Sequence, residues 1–149
     1  MARKFWLLLL FTCLTGLGCS SLEQYPLAVA TGTVTCDGKP VAKAIVYFEP
    51  LKSGDTSVVG KQGFALTDES GKFSVSTYGE NDGAVVGRHI VRVGRSESTP
   101  SCNCALIADE PLTEVEVKSG QANDFPLTLK KATNQDRKRE SDLAKKEED

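Results

Sequence analysis

Short runs that alternate apolar and polar side chains, each closed by a turn, recur through the middle of this chain and constrain its fold most. Thr31–Cys36 is followed by Asp37-Gly38-Lys39-Pro40, a strand and then a glycine-containing turn. Lys43–Glu49 is the next, ended by Pro50, which has no N–H to give to a ladder. Gly63–Thr67 and Lys72–Thr77 flank Asp68-Glu69-Ser70-Gly71, where Asp first and Gly fourth mark a type I turn. Arg88–Val93, Thr113–Val117 and Asp124–Leu129 complete the set. In the last run Phe125, Leu127 and Leu129 share a face, and Pro126 assigns it to a sheet edge or a bulge. Seven such runs without helical periodicity predict an all-β fold, a seven-stranded antiparallel β-sandwich over residues 31–131.

The N-terminus has a different pattern. Met1-Ala2-Arg3-Lys4 precedes an apolar run from Phe5 to Leu14 and a small-residue stretch from Thr15 to Gly18. A spanning helix needs about 20 apolar residues, so the run is too short and has the three-part layout of a secretory signal over residues 1–18. Leu14-Thr15-Gly16-Leu17-Gly18-Cys19 resembles a bacterial lipobox, in which Cys19 becomes the first mature residue and carries the lipid. Gly16 stands where that motif usually has Leu. Gly16 and Gly18 also satisfy an ordinary signal-peptidase site, which leaves a soluble secreted or periplasmic protein as the alternative. Ser20-Ser21 then opens a polar tether over residues 19–30, and by resemblance to such lipoproteins Ser20 directs the chain to the outer membrane.

A 149-residue chain that loses this leader has room for one domain and a tail. Arg3 and Lys4 leave with the leader, so the mature chain is more acidic than the whole chain's net charge of −2. No basic patch with interleaved aromatics occurs, which argues against nucleic acid as a partner. Of five cysteines, Cys13 leaves with the leader and Cys19 is the lipid candidate. Cys36, Cys102 and Cys104 remain, an odd number for an oxidising compartment. The simplest account bonds Cys36 to Cys102 or to Cys104 and leaves one thiol.

Two loops and a tail stand outside the strand pattern. Tyr78–Gly87 is glycine-rich and Gly94–Pro111 is long for a plain connection, so both are candidate binding loops, with Tyr78, Glu80, Asn81 and Asp82 as the residues to expect there. Residues 132–149 are almost wholly polar and charged, and the expectation is disorder or at most a loose helix.

Several blocks are similar to one family. Gly32-x-Val34 with Asp37-Gly38-Lys39-Pro40-Val41-x-x-Ala44-x-Val46-x-Phe48 resembles the opening of the carboxypeptidase regulatory-like (transthyretin-like) domain. Thr67-Asp68-x-x-Gly71-x-Phe73 resembles its middle hairpin, and Gly83-x-x-x-Gly87-x-His89-x-Val91-x-Val93 its penultimate block, where an aromatic usually stands at the His89 place. The resemblance implies a seven-stranded transthyretin-like, immunoglobulin-like sandwich used as an accessory, adhesive or binding module. It rarely implies catalysis, and fold-level analogy does not deliver function.

Candidate chemistries are few. His89 is the only histidine, and no Gly-x-Ser-x-Gly occurs. The transthyretin-like purine-pathway hydrolases use more than one histidine and a characteristic C-terminal tetrapeptide, both absent here. Cys102-x-Cys104 can reach one soft ion, with Cys36 and His89 to complete a site, although structural zinc normally needs four ligands at other spacings. Asp68 and Glu80-Asn81-Asp82-Gly83 lack the spaced ligands of a calcium loop. Tyr78, Tyr47 and Trp6 build no sugar platform, since Trp6 leaves with the leader. The expectation is therefore a non-enzymatic envelope lipoprotein without a cofactor, bound to the bilayer through Cys19 and to an envelope protein or polymer through its loops. The rivals are a metal or redox protein using Cys36, Cys102 and Cys104, and an accessory subunit of a separately encoded envelope enzyme.

Overall fold

The computed structural model describes residues 24–52 and 59–146. The expected signal and Cys19 lie outside these residues. The described chain is mostly β-strand with one short helix: β1 (Leu27–Ala28), β2 (Ala30–Cys36), β3 (Lys39–Pro40), β4 (Ala44–Pro50), β5 (Gly63–Leu66), β6 (Lys72–Ser74), β7 (Ala84–Val85), β8 (Gly87–Arg95), β9 (Thr113–Val117), β10 (Asn123–Leu129) and α1 (Asn134–Lys146). Each of the seven expected runs lies in or around a strand, and β1, β3 and β7 are two-residue additions that the alternation was too short to signal.

The strands form two four-stranded sheets and one small ribbon. One sheet has the order β10-β2-β3, with β6 also pairing β2; the other runs β5-β4-β8-β9, and β1 pairs β7. One pairing departs from the antiparallel expectation. β10 lies parallel to β2, from Asn123 opposite Ala30 to Leu129 opposite Cys36. These are the last and nearly the first strands of the domain, so no hairpin fixes their relative direction. Among the described residues β10 pairs only β2, and an edge strand tolerates the missing N–H of Pro126.

Period-two burial builds the core. On β2 the side-chain positions Ala30, Val34 and Cys36 face inward, and on β4 Ala44, Val46 and Phe48 do the same. Phe48 is completely buried, with its ring centroid 6.1 Å from that of Phe73, 5.5 Å from Phe125 and 5.8 Å from the His89 ring. One cluster thus takes side chains from both four-stranded sheets. Gly32 permits it: a Cβ there would stand 2.1 Å from the Phe125 carbonyl oxygen and 2.6 Å from the Phe73 ring.

The two ends of the domain differ from expectation. Part of the expected tether belongs to the fold: Ala28 and Ala30 are buried, Tyr25 N–H donates to the Tyr78 hydroxyl at 3.0 Å, and Val86 N–H donates to the Pro26 carbonyl at 2.9 Å. The polar tail, expected to be disordered or at most a loose helix, holds α1. Thr133 and Asp136 cap it reciprocally, with Thr133 N–H donating to Asp136 Oδ2 at 2.7 Å and Asp136 N–H to Thr133 Oγ1 at 3.2 Å. Polar contacts then dock it: Leu106 N–H donates to Glu140 Oε1 at 3.1 Å, and Arg139 approaches Asp109 at 3.3 Å. A helix with no apolar stripe can be held this way where its charges meet partners on the domain.

Candidate functional site

The loop predicted to bind is a braced corner. Asp82 accepts hydrogen bonds from the backbone N–H groups of Thr77 at 2.7 Å, Tyr78 at 3.0 Å and Gly79 at 2.6 Å. Desolvation pushes the Asp82 pKa up, but these N–H donors outweigh it and hold the carboxyl below its ordinary range. Asn81, at a positive φ of 54°, donates its N–H to Ser76 Oγ at 2.8 Å. Gly83, at φ 101°, packs so tightly on Ala28 that a Cβ would stand 2.1 Å from the Ala28 carbonyl oxygen. The Tyr78 hydroxyl takes the Tyr25 N–H, and Lys61 Nζ lies 5.6 Å from the Tyr78 ring centroid. Of the four expected binding residues, Asp82 and Tyr78 therefore brace the loop, while Glu80 and Asn81 present exposed side chains.

Asp68 behaves in the same way. Its Oδ1 accepts from Ser70 N–H and Ser70 Oγ–H at 2.8 Å and from Lys72 N–H at 2.9 Å, which closes the predicted turn with Gly71 at φ 74°. Those bonds, Ser70 Oγ foremost, lower the Asp68 pKa.

Glu80 and Asn81 border a groove that the sequence reading missed. It has a volume of about 500 Å³ and also takes in Phe64, Leu66 and Phe73. Phe64 and Leu66 are 56% and 55% exposed while Gly63 and Ala65 point inward, the reverse of the usual size order. The reason is space: a Cβ on Gly63 would stand 2.7 Å from Val75 Cγ1 and 2.8 Å from Thr77 Oγ1. The signal was present in Gly-Phe-Ala-Leu, where strict alternation puts the two small residues on one face and the two large ones on the other.

The cysteines form a second cluster. Of the two pairings left open, Cys36 bonds Cys104, with the Cα atoms 5.8 Å apart. Cys102 is a half-buried free thiol whose Sγ–H points to the Cys104 carbonyl at 3.6 Å. The ligand atoms of Cys36, Asp37 and Cys104 lie within 4.8 Å of one another. Two of those three atoms are the bonded sulfurs, and a thiolate is the form that ligates a metal. The other long loop, Gly94–Pro111, folds back over its own sheet: Ala108 packs on Gly94, and Arg92 Nη1 donates to the Asp109 carbonyl at 2.7 Å.

His89 is enclosed in the core. Its Nδ1–H donates to the Gly87 carbonyl at 3.1 Å, and Nε2 has no hydrogen-bond partner among the described residues. Desolvation lowers its pKa below the ordinary 6.5, against the opposing bond to Gly87. Between that lowered value and 6.5 the unfolded chain binds a proton that the folded chain does not, so stability is full above about 6.5 and falls as pH drops through this interval. His89→Phe is expected to abolish this fall, read as urea midpoints at neutral and mildly acidic pH. A variant that keeps the wild-type slope would show that another group titrates.

No family model matches the chain, and no curated protein is similar enough to match it. No helix among the described residues is long and apolar enough to cross a membrane.

Proposed function

We propose that this protein is a non-catalytic binding module of the cell envelope, a seven-stranded β-sandwich of the carboxypeptidase regulatory-like type held on the outer membrane by a lipid on Cys19. The Cys36–Cys104 disulfide carries the reading, because a bond of this kind persists in oxidising compartments and the leader-like N-terminus leads to one. The enclosure of His89 and the use of the Asp68 and Asp82 carboxylates within their own turns favour binding over catalysis. A metal centre at Cys36, Cys102 and Cys104 is less favoured, since two of its three sulfurs are joined and the thiolate is the form that ligates a metal.

The binding surface in this reading is the groove of Phe64, Leu66, Glu80 and Asn81, which suits an envelope protein or polymer with both apolar and polar groups. Cys19 is six residues before Tyr25, which hydrogen-bonds to Tyr78, so at no more than about 3.6 Å per residue the lipid on Cys19 keeps that point of the domain within about 22 Å of the membrane. Such a short tether suits a partner at the membrane, including an envelope enzyme that the module would serve as a subunit. Cys19→Ser tests the anchor: the wild-type chain is expected in the membrane fraction and the variant in the soluble fraction. Wild-type protein that is already soluble would remove the anchor from the proposal.

A further inference from the structure

Beside the disulfide is a cavity of about 310 Å³ whose wall includes Cys36, Cys102, Lys39 and Ser101. Cys36 is on that wall and Cys104, 1% exposed, is not, so Cys36 is the bonded cysteine beside the cavity. Cys102 stands two residues before Cys104 and packs against the same core cluster. A bond from Cys36 to Cys102 would therefore close nearly the same loop as the bond to Cys104. The proposed binding surface does not use this third sulfur.

We propose that the cavity is a thiol–disulfide exchange site, with Cys102 as nucleophile, Cys36 as the sulfur attacked and Cys104 as the leaving group. The Cys102 thiol gives its proton to solvent, and its sulfur forms a bond to Cys36 Sγ. The Cys36–Cys104 bond breaks, its electron pair leaves on Cys104 Sγ, and that sulfur takes a proton. One disulfide and one thiol stand on each side, so no oxidant or reductant is consumed. Exchange of this kind runs through the thiolate and speeds up as pH rises. The Asp37 carboxylate, within 4.8 Å of both bonded sulfurs, opposes the negative charge that builds on Cys104 as the bond breaks and so slows the exchange.

The exchange reaches beyond the cavity because Cys104 anchors the base of α1. It bridges Lys131, Ala105 N–H donates to the Lys130 carbonyl at 2.9 Å, and Ala132 N–H donates to the Asn103 carbonyl at 2.8 Å. Moving the bond to Cys102 frees Cys104 from β2 and loosens the seat of the helix.

The test is disulfide mapping of the purified mature chain after incubation at about pH 8 with a small amount of a low-mass thiol, followed by acid quenching, alkylation and digestion. The wild-type chain is expected to yield a Cys36–Cys102 peptide beside the Cys36–Cys104 peptide, and Asp37→Asn to yield it sooner. Cys104→Ser is expected to hold the Cys36–Cys102 bond in most molecules. Wild-type protein in which Cys102 is alkylated throughout and Cys36 is bonded only to Cys104 would overturn the proposal. That result can be read even where Cys104→Ser fails to fold.

Discussion

Cys36→Ser is expected to lower the unfolding free energy by about 4 kcal/mol, enough to remove a large part of the stability of a domain this size. The bond joins residues 68 apart in sequence, and closing a loop of that length in the unfolded chain costs about 4 kcal/mol of chain entropy. The substitution also places a hydroxyl where a buried sulfur sat, 6% exposed between β2 and the segment leading to α1. The loss appears as a lower urea midpoint, and reduction of the wild-type chain should reproduce most of it. Cys104→Ser loses less than Cys36→Ser, because Cys102 takes over as partner. Equal losses in the two variants would count against exchange, and a loss below about 1 kcal/mol in Cys36→Ser would show that the bond is not a main support of the fold.

Phe48→Ala is expected to cost about 4 kcal/mol, from the lost transfer energy of the ring and the cavity it leaves. The ring touches three others that come from separate strands: Phe73 on β6, His89 on β8 and Phe125 on β10. Removing it loosens contacts between both four-stranded sheets, and neighbours fixed in their own ladders cannot collapse into the space. Phe64→Ala is the internal comparison, since the same chemical change at a residue 56% exposed should move stability by about 0.5 kcal/mol or less. Urea denaturation of the two variants side by side gives the answer. Similar losses would mean that Phe64 is also held by the fold.

The strands were legible because alternation is a local property. Leu127 and Leu129 are buried on the one face that alternation gave them, and Val34, Val46, Phe48 and Val91 are buried at alternate positions of their runs. The parallel pairing of β2 with β10 was not legible, because register between residues 93 apart leaves no local signature. The disulfide could be narrowed only to two partners, since Cys102 and Cys104 differ by the burial of their side chains and not by their neighbours in sequence. At the candidate site, acidic residues in a glycine-rich loop suggested ligands, but Asp82 stands within reach of three backbone donors of its own turn. The helix was missed because its polar composition was weighed without Thr133-x-x-Asp136, a capping pair visible in the chain, and without Arg139 and Glu140, whose partners lie about 30 residues away.

Intact mass of the protein purified from detergent-solubilised envelope, before and after reduction, decides whether this domain is lipid-anchored and disulfide-bonded. The expected mass is that of residues 19–149 plus a lipid, rising by two hydrogen atoms on reduction. A lipid-free mass that begins at any other residue, or a mass that reduction leaves unchanged, would contradict it.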